Sequence, residues 1–287
     1  MQHERLVAVF GRGVLDDPDE PAVHADDLGL TRGDGCFEAT RLVVADDGSG
    51  RADHLDAHVA RMERSAAALH IPFDEGAWRE LLAEVIDAWG RPGEATLRWV
   101  LSRGCEAAPA DPVTGVVTVT PIPESTLAER LGVHVATLPI GRPARAMSEA
   151  PWLLGGVKTL SYAVNMAAAR EARRRGVDDV VFTSTEGLAL EAPRAALIWR
   201  CGDALATTCH DGTGVLASIT QAAVFAGAEA AGVDTSYGLI AVDDLRTVDG
   251  AWLVSSGRLT APILTLDGHE LTCDDTWTAR LRHWCER

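Results

Sequence analysis

The chain has 287 residues and sets 26 lysines and arginines against 42 aspartates and glutamates, a formal net charge of −16. That length suggests about two domains at roughly 150 residues each, and a composition of 47% hydrophobic and 24% charged residues excludes a disordered chain. So acidic a surface repels phosphate backbones and anionic headgroups, so neither nucleic acid nor a membrane surface is expected as a partner. The densest basic run, Arg173-Arg174-Arg175, reads as a solvated helix face. No apolar run approaches the ~20 residues of a membrane span, and the first five residues lack the pattern of a signal peptide. The six cysteines are scattered without a CxxC pair, which suits reduced thiols and a cytoplasmic location.

In chain order, short β-rich runs at 6–10 and 37–44 read as strands. Over 54–70, Leu55, Val59, Met62, Ala66 and Leu69 recur at helical spacing. A second helix is expected over 75–89, stopped by Gly90 with Pro92 beyond. Paired strands at 95–102 and 115–120 follow. The stretch Pro121-Ile122-Pro123-Glu124-Ser125 breaks both helix and ladder, so residues 1–122 are expected as an N-terminal domain, 123–131 as a linker and 132–287 as a C-terminal domain. Beyond it the pattern gives strands at 133–138, 179–183, 188–190, 195–199, 205–208, 239–242 and 252–255, with helices at 161–175, 218–231 and 276–285. Strands outnumber helices here and are joined mostly by short turns, which argues for a mixed sheet or barrel rather than a doubly wound parallel sheet. There is no internal repeat and no Gly-rich dinucleotide or P-loop fingerprint; Gly11-Arg12-Gly13 has neither the spacing nor the context.

Of the 26 basic residues, 25 are arginine and one is lysine, Lys158. A GC-rich genome explains the missing lysines, and a chance survivor is the plain alternative. Arginine replaces lysine on most surfaces, but it cannot where an amine must lose its proton and attack a carbonyl. Lys158 follows the apolar, glycine-bearing approach Trp152-Leu153-Leu154-Gly155-Gly156-Val157 and precedes a helix-like run. An amine against apolar walls has a depressed pKa, which suits Schiff-base chemistry.

Several motifs, in order, resemble the fold-type IV pyridoxal-phosphate enzymes, which include branched-chain aminotransferases, D-amino-acid aminotransferases and aminodeoxychorismate lyases. They are Arg32-Gly33-Asp34-Gly35-Cys36-Phe37-Glu38-Ala39-Thr40-Arg41, His58-Val59-Ala60-Arg61, Lys158, and Glu186-Gly187 with Glu191-Ala192-Pro193. Ser218-Ile219-Thr220-Gln221 and Ser255-Ser256-Gly257 before Pro262 complete the set. With Lys158-Thr159-Leu160-Ser161-Tyr162, the chain is most similar to the aminodeoxychorismate lyase-like branch.

The resemblance implies an α+β fold, with a small N-terminal α/β domain and a larger C-terminal domain on a mixed, barrel-like sheet. It implies pyridoxal 5'-phosphate as cofactor and a homodimer. Lys158 would carry the cofactor and move the substrate's proton, and Glu191 would hold the pyridine nitrogen protonated; from the residues alone Glu191 also reads as a turn carboxylate. Arg61 would grip the cofactor phosphate bidentately, although a helix-face arginine is equally at home in a surface ion pair. Ile219 and Thr220 would bind phosphate at a helix start, with Ser256 and Gly257, otherwise an ordinary loop sequence, completing the cup. Arg41 and Arg98 lie on expected strands, where charges usually face solvent, but as a group they could line a cleft for a small anionic amine substrate. The chain departs from the family at Ala195-Ala196, where Ser-Asn is common, at Gln221, where arginine is usual, and at Phe37, where D-amino-acid aminotransferases often have tyrosine. The expected activity is aminodeoxychorismate lyase, with transamination of D-amino or branched-chain amino acids as the alternative. A cofactor-less binding protein is disfavoured, because a decayed site in so lysine-poor a chain should have drifted to arginine.

Overall fold

The computed structural model describes residues 5–106 and 113–286; residues 1–4, on which the signal-peptide reading rests, lie outside that part. The chain forms two compact units. One comprises the residues up to Pro123 together with Val157–Tyr162, and the other Glu124–Gly156 with the residues from Ala163 onward.

The first unit contains β1 (Leu6–Val9), β2 (Gly13–Val14), α1 (Leu28–Arg32), β3 (Gly35–Val44), β4 (Gly50–Ala52), α2 (Leu55–Ala68), α3 (Glu75–Trp89), β5 (Gly93–Ser102) and β6 (Thr114–Pro121). Its six strands pair antiparallel in the order β2-β1-β6-β5-β3-β4. Strand alternation decides what each face carries. Leu42, Leu97, Trp99, Leu101, Val117 and Val119 share one face and are fully buried, as are Val59 and Met62 of α2 and Leu82 and Val85 of α3. The opposite face carries Phe37, Ala39, Arg98, Val100 and Thr118. Helix α3 starts where Asp74 accepts the Ala77 N–H at 3.0 Å and ends at Gly90 in the left-handed region, as its capping residues predict.

The second unit contains α4 (Glu124–Glu129), β7 (Val133–Pro139), α5 (Ala163–Arg175), β8 (Asp179–Thr183), β9 (Leu188–Ala189), β10 (Ala196–Cys201) and β11 (Ala204–Thr208). It continues with α6 (Ile219–Ala230), β12 (Thr235–Gly238), β13 (Ile240–Ala241), α7 (Val242–Leu245), β14 (Gly250–Ser255), β15 (Leu259–Leu266), β16 (His269–Glu270) and α8 (Asp275–Cys285). The strands form one mixed sheet in the order β12-β11-β10-β14-β15-β7-β8-β9-β13, with β16 on β15. The strands at the two ends of that order, β12 and β13, are consecutive in the chain and separated by Leu239 alone. The sheet therefore curls until its ends meet, which gives the expected barrel-like domain.

Alternation again sorts the core. On β10 and β14, Leu197, Trp199, Ala251 and Leu253 join one apolar cluster with Val133, Val181 and Ile263. Their neighbours Ile198, Trp252 and Val254 join a second cluster, with Val224 and Phe225 of α6 and Trp277, Leu281 and Trp284 of α8. Strands buried on both faces explain the near-continuous apolar runs of this half.

The boundary between the units differs from the sequence expectation in two ways. Within the expected linker 123–131, Glu124–Glu129 is helix α4 and belongs to the second unit; Pro123 precedes the helix, where proline does no harm. Residues 157–162, placed by sequence in the C-terminal domain, pack in the first unit.

Candidate active site

The Gly-Asp-Gly-x-Phe-Glu run shapes the start of β3. Gly33 caps α1 with a left-handed backbone, and Asp34 accepts from Arg103 Nε at 2.6 Å. The segment 157–162 then lies along β3. Phe37 N–H donates to Lys158 O at 3.1 Å, Leu160 N–H donates to Gly35 O at 2.8 Å, and Cys36 bridges Thr159. Glycine is required at 35 because a Cβ there would sit 2.5 Å from Leu101 O and 2.7 Å from Leu160 Cδ1. A Gly35→Ala variant is expected to lose about 1–3 kcal/mol of stability, read by chemical denaturation; an unchanged midpoint would show that the Lys158 segment does not press on β3.

This docking places Lys158 Nζ 4.4 Å from the Phe37 ring centroid. Tyr162 packs edge-on against the same ring at 5.3 Å, and Ser65 Oγ accepts the Lys158 N–H at 3.4 Å. The aromatic side chains beside the amine are those of Phe37 and Tyr162, whereas Trp152 and Leu153 of the apolar approach are exposed. Arg98 lies on the Phe37 face of the sheet, opposite Ala39. It is exposed and, among the described residues, forms no side-chain hydrogen bond or ion pair.

On α2, His58, Arg61 and Ser65 fall on one buried face at i, i+3 and i+7. Arg61 donates from Nε to Glu38 Oε1 at 2.6 Å and from Nη2 to Glu38 Oε2 at 2.8 Å, and His58 Nδ1 lies 2.8 Å from Oε2. Burial alone pushes the Glu38 carboxyl up, but hydrogen bonds and charge from Arg61, then His58, outweigh it and hold it at about 2. Burial pushes His58 down, and the Lys158 charge reaches it and acts the same way. The Cys36 thiol is pushed up to about 12 by burial and then by Glu38, which leaves it inert. The expectation for Arg61 is corrected in one respect: the Nε–Nη2 edge of its fork already holds a carboxylate.

Arg41 is placed differently from the expectation for a substrate ligand. Its buried guanidinium donates from Nε to Asp53 Oδ2 at 2.7 Å and lies 3.5 Å from Glu94 Oε2. Two carboxylates thus neutralise the charge that sequence reasoning assigned to a ligand.

The remaining expected residues belong to the second unit. Glu191 follows β9 and is held by both its main chain and its side chain: its O accepts from Phe182 N–H at 2.9 Å, and Oε2 accepts from Leu216 N–H at 3.2 Å. Arg142 donates from Nη1 to Thr213 O at 2.9 Å in the same turn; burial lowers its pKa, and the Glu191 charge opposes that. The turn after Glu191 closes through an Ala192–Ala195 bridge, and Asn165 of α5 donates to Pro193 O at 2.7 Å. Ala195 and Ala196 are buried core residues, so this chain uses the Ser-Asn positions for packing.

Ile219 and Thr220 open α6, whose Ser218 cap accepts the Gln221 N–H at 3.2 Å. Ser256 and Gly257 form the tip between β14 and β15. Arg130 Nη2 donates to Gly257 O at 2.8 Å, and Arg258 donates to Glu129 at 2.8 Å and Asp179 at 2.9 Å. Gly257 has no positive φ, and a Cβ there would meet only Thr126 Cγ2 at 3.9 Å. Neither backbone nor packing demands glycine at 257.

Sequence reasoning missed Glu38, His58, Tyr162 and Arg142. The signal for the first two was present: a carboxylate on the apolar face of a strand needs partners, and His58-x-x-Arg61 supplies them at helical spacing.

Glu191, the start of α6 and the Ser256-Gly257 tip all belong to the second unit, and Lys158 to the first. The sequence signature of amino-transferase class IV matches residues 35–266. The chain is 40% identical over 275 residues to a bifunctional aminodeoxychorismate lyase/D-amino acid transaminase of Mycobacterium tuberculosis, covering 90% of this chain and 91% of that protein. A fold IV transaminase from Curtobacterium pusillum superposes with a TM-score of 0.90 at 38% identity, covering 99% of both chains. A hypothetical aminotransferase from Mycobacterium tuberculosis, solved in a PLP-bound form, gives a TM-score of 0.90 at 37% identity and covers 98% of both chains. The protein belongs to the class IV aminotransferase family.

Proposed function

We propose that this protein is an aminodeoxychorismate lyase, converting 4-amino-4-deoxychorismate to 4-aminobenzoate and pyruvate for folate synthesis. The second reading is transamination of D-amino or branched-chain amino acids, and the bifunctional relative from Mycobacterium tuberculosis favours the D-amino-acid form. The observation that carries the lyase reading is the aromatic wall beside Lys158, built from Phe37 and Tyr162, with the unpaired Arg98 on the same sheet face as Phe37.

The chain is a pyridoxal-phosphate-dependent enzyme, and its residues fit that cofactor. Lys158 is the lone lysine, Glu191 keeps its carboxylate on the Leu216 N–H, and Gly257 is bare without a structural reason. When bound, the cofactor supplies an aldehyde that captures the substrate amine and a ring that takes up the electron pair released at the carbon bearing it. Lys158 would hold the cofactor through Nζ and, when free, would take the proton from the substrate carbon at that atom. Glu191 holds a proton at the pyridine nitrogen. Arg61, Ile219, Thr220, Ser256 and Gly257 hold the phosphate, and Arg98 orients a substrate carboxylate. The lyase reading would require the substrate to lose its enolpyruvyl group as enolpyruvate, which takes up a proton to become pyruvate, and to leave its own ring aromatic; the transaminase reading would require Lys158 Nζ to hand its proton back instead.

The test is an assay with aminodeoxychorismate and no keto acid. Equimolar 4-aminobenzoate and pyruvate support the lyase; no release from a cofactor-loaded protein overturns it and leaves transamination. A Gly257→Ala variant is expected to weaken pyridoxal phosphate binding about tenfold with an unchanged apoprotein melting temperature. Equal affinity by cofactor titration would remove Gly257 from the phosphate site.

A cytoplasmic location is proposed from the free cysteines, and no helix among the described residues is long and apolar enough to cross a membrane. A homodimer is proposed because Trp152, Leu153, Val164 and Met166 of the second unit are exposed in the single chain. A monomer in analytical ultracentrifugation would refute it.

A further inference from the structure

Glu38 takes no part in the chemistry proposed above, yet it is fully buried on the apolar face of β3, directly opposite Trp99. A carboxylate in such a place is costly unless its oxygens are satisfied. Here each is satisfied by a short bond: Oε1 by Arg61 Nε at 2.6 Å, and Oε2 by Arg61 Nη2 and His58 Nδ1, both at 2.8 Å. An ionised carboxylate only accepts, so His58 donates from Nδ1. Formal charges of −1, 0 and +1 on Glu38, His58 and Arg61 leave the buried trio neutral.

The geometry constrains Arg61 most. A bidentate clamp through Nε and Nη2 fixes the plane of the guanidinium, so the direction in which its outer edge projects is set by Glu38 rather than by a flexible side chain. His58, one helical turn before Arg61 and nearly as buried as Glu38, holds the clamp from its other side. We propose that Glu38, braced by His58, is a positioning residue that aims Arg61 at the cofactor phosphate and so sets the preference for the phosphorylated over the unphosphorylated cofactor. This rests on the assignment of Arg61 to the phosphate.

Two effects of removing Glu38 have opposite signs. Freeing the positive charge of Arg61 would strengthen attraction to phosphate, whereas releasing the clamp would lose the aim. Preorganisation of a charge-assisted, geometry-dependent contact outweighs bare charge here, as it does for groups that orient metal ligands.

The experiment titrates the full chain, stripped of cofactor, with pyridoxal phosphate and with pyridoxal, in wild type, Glu38→Gln, His58→Gln and Arg61→Met. Glu38→Gln is expected to weaken pyridoxal phosphate about 10-fold or more while pyridoxal changes less than about 2-fold, and His58→Gln to shift the ratio the same way by about 2–5-fold. Equal losses for both ligands would mean that Glu38 only supports the fold, and unchanged or tighter pyridoxal phosphate binding would mean that it does not aim Arg61. Either result overturns the proposal. If Glu38→Gln shows no cooperative melt, a folded His58→Gln with an unchanged ratio overturns it. If Arg61→Met leaves the ratio unchanged, the phosphate assignment itself falls. If Arg61→Met shifts the ratio and the other two variants do not, only the positioning role falls.

Discussion

Lys158→Arg is expected to abolish turnover, by roughly 10⁴-fold or more, as loss of a covalent catalytic group does. Arginine keeps the positive charge over Phe37 and the backbone bonds of the 157–162 segment. It cannot give up a proton at working pH, so it can neither carry an aldehyde nor abstract a proton. The variant should therefore retain its melting temperature without cofactor and lose the visible absorbance band that wild type gains on adding pyridoxal phosphate. Turnover within tenfold of wild type would refute the role of Lys158. Loss of the cooperative melt would instead show that the larger guanidinium does not pack where the amine lies, 4.4 Å from the Phe37 ring centroid.

Glu191→Gln is expected to lower kcat by about 10²–10³-fold, the scale of losing one preorganised electrostatic contact in an active site. Glutamine has the same shape and can still accept the Leu216 N–H now bonded to Oε2 at 3.2 Å, so local structure should persist. It lacks the charge that keeps a pyridine nitrogen protonated, and the ring then draws electrons less strongly. KM and the affinity for pyridoxal phosphate should change little, because the residues proposed for the phosphate are others. A kcat equal to wild type would place the nitrogen against another group. The Glu191 charge also reaches Arg142, where it opposes the lowering by burial.

Much of this was legible in the sequence because covalent chemistry leaves few substitutes. Lys158 stood out in a chain that otherwise spells every basic residue as arginine, and the ordered motifs around it carried the family. The barrel-like domain followed from short strands joined by short turns. Other features were not legible, each for a physical reason. Arg41 was misplaced because sequence shows a charge on a strand but not its partners, here Asp53 and Glu94. Helix α4 was hidden by Pro121 and Pro123 just before it, since proline breaks a helix inside but is harmless ahead of its start. Residues 157–162 have no strand pattern, and no local signal announces their backbone bonds to Gly35 and Phe37. Glu38 sat in a quoted motif, but its burial depends on α2 crossing that strand, which no local pattern states.

The return of 157–162 to the first unit also governs how this protein can be taken apart. The chain leaves the first unit after Pro123, returns for six residues and leaves again after Tyr162. A cut at the apparent boundary would strand Lys158 on a fragment that lacks β3, the strand against which its segment folds. Neither half is then a transferable cassette, and recombination with a relative has to exchange the lysine segment together with the N-terminal sheet.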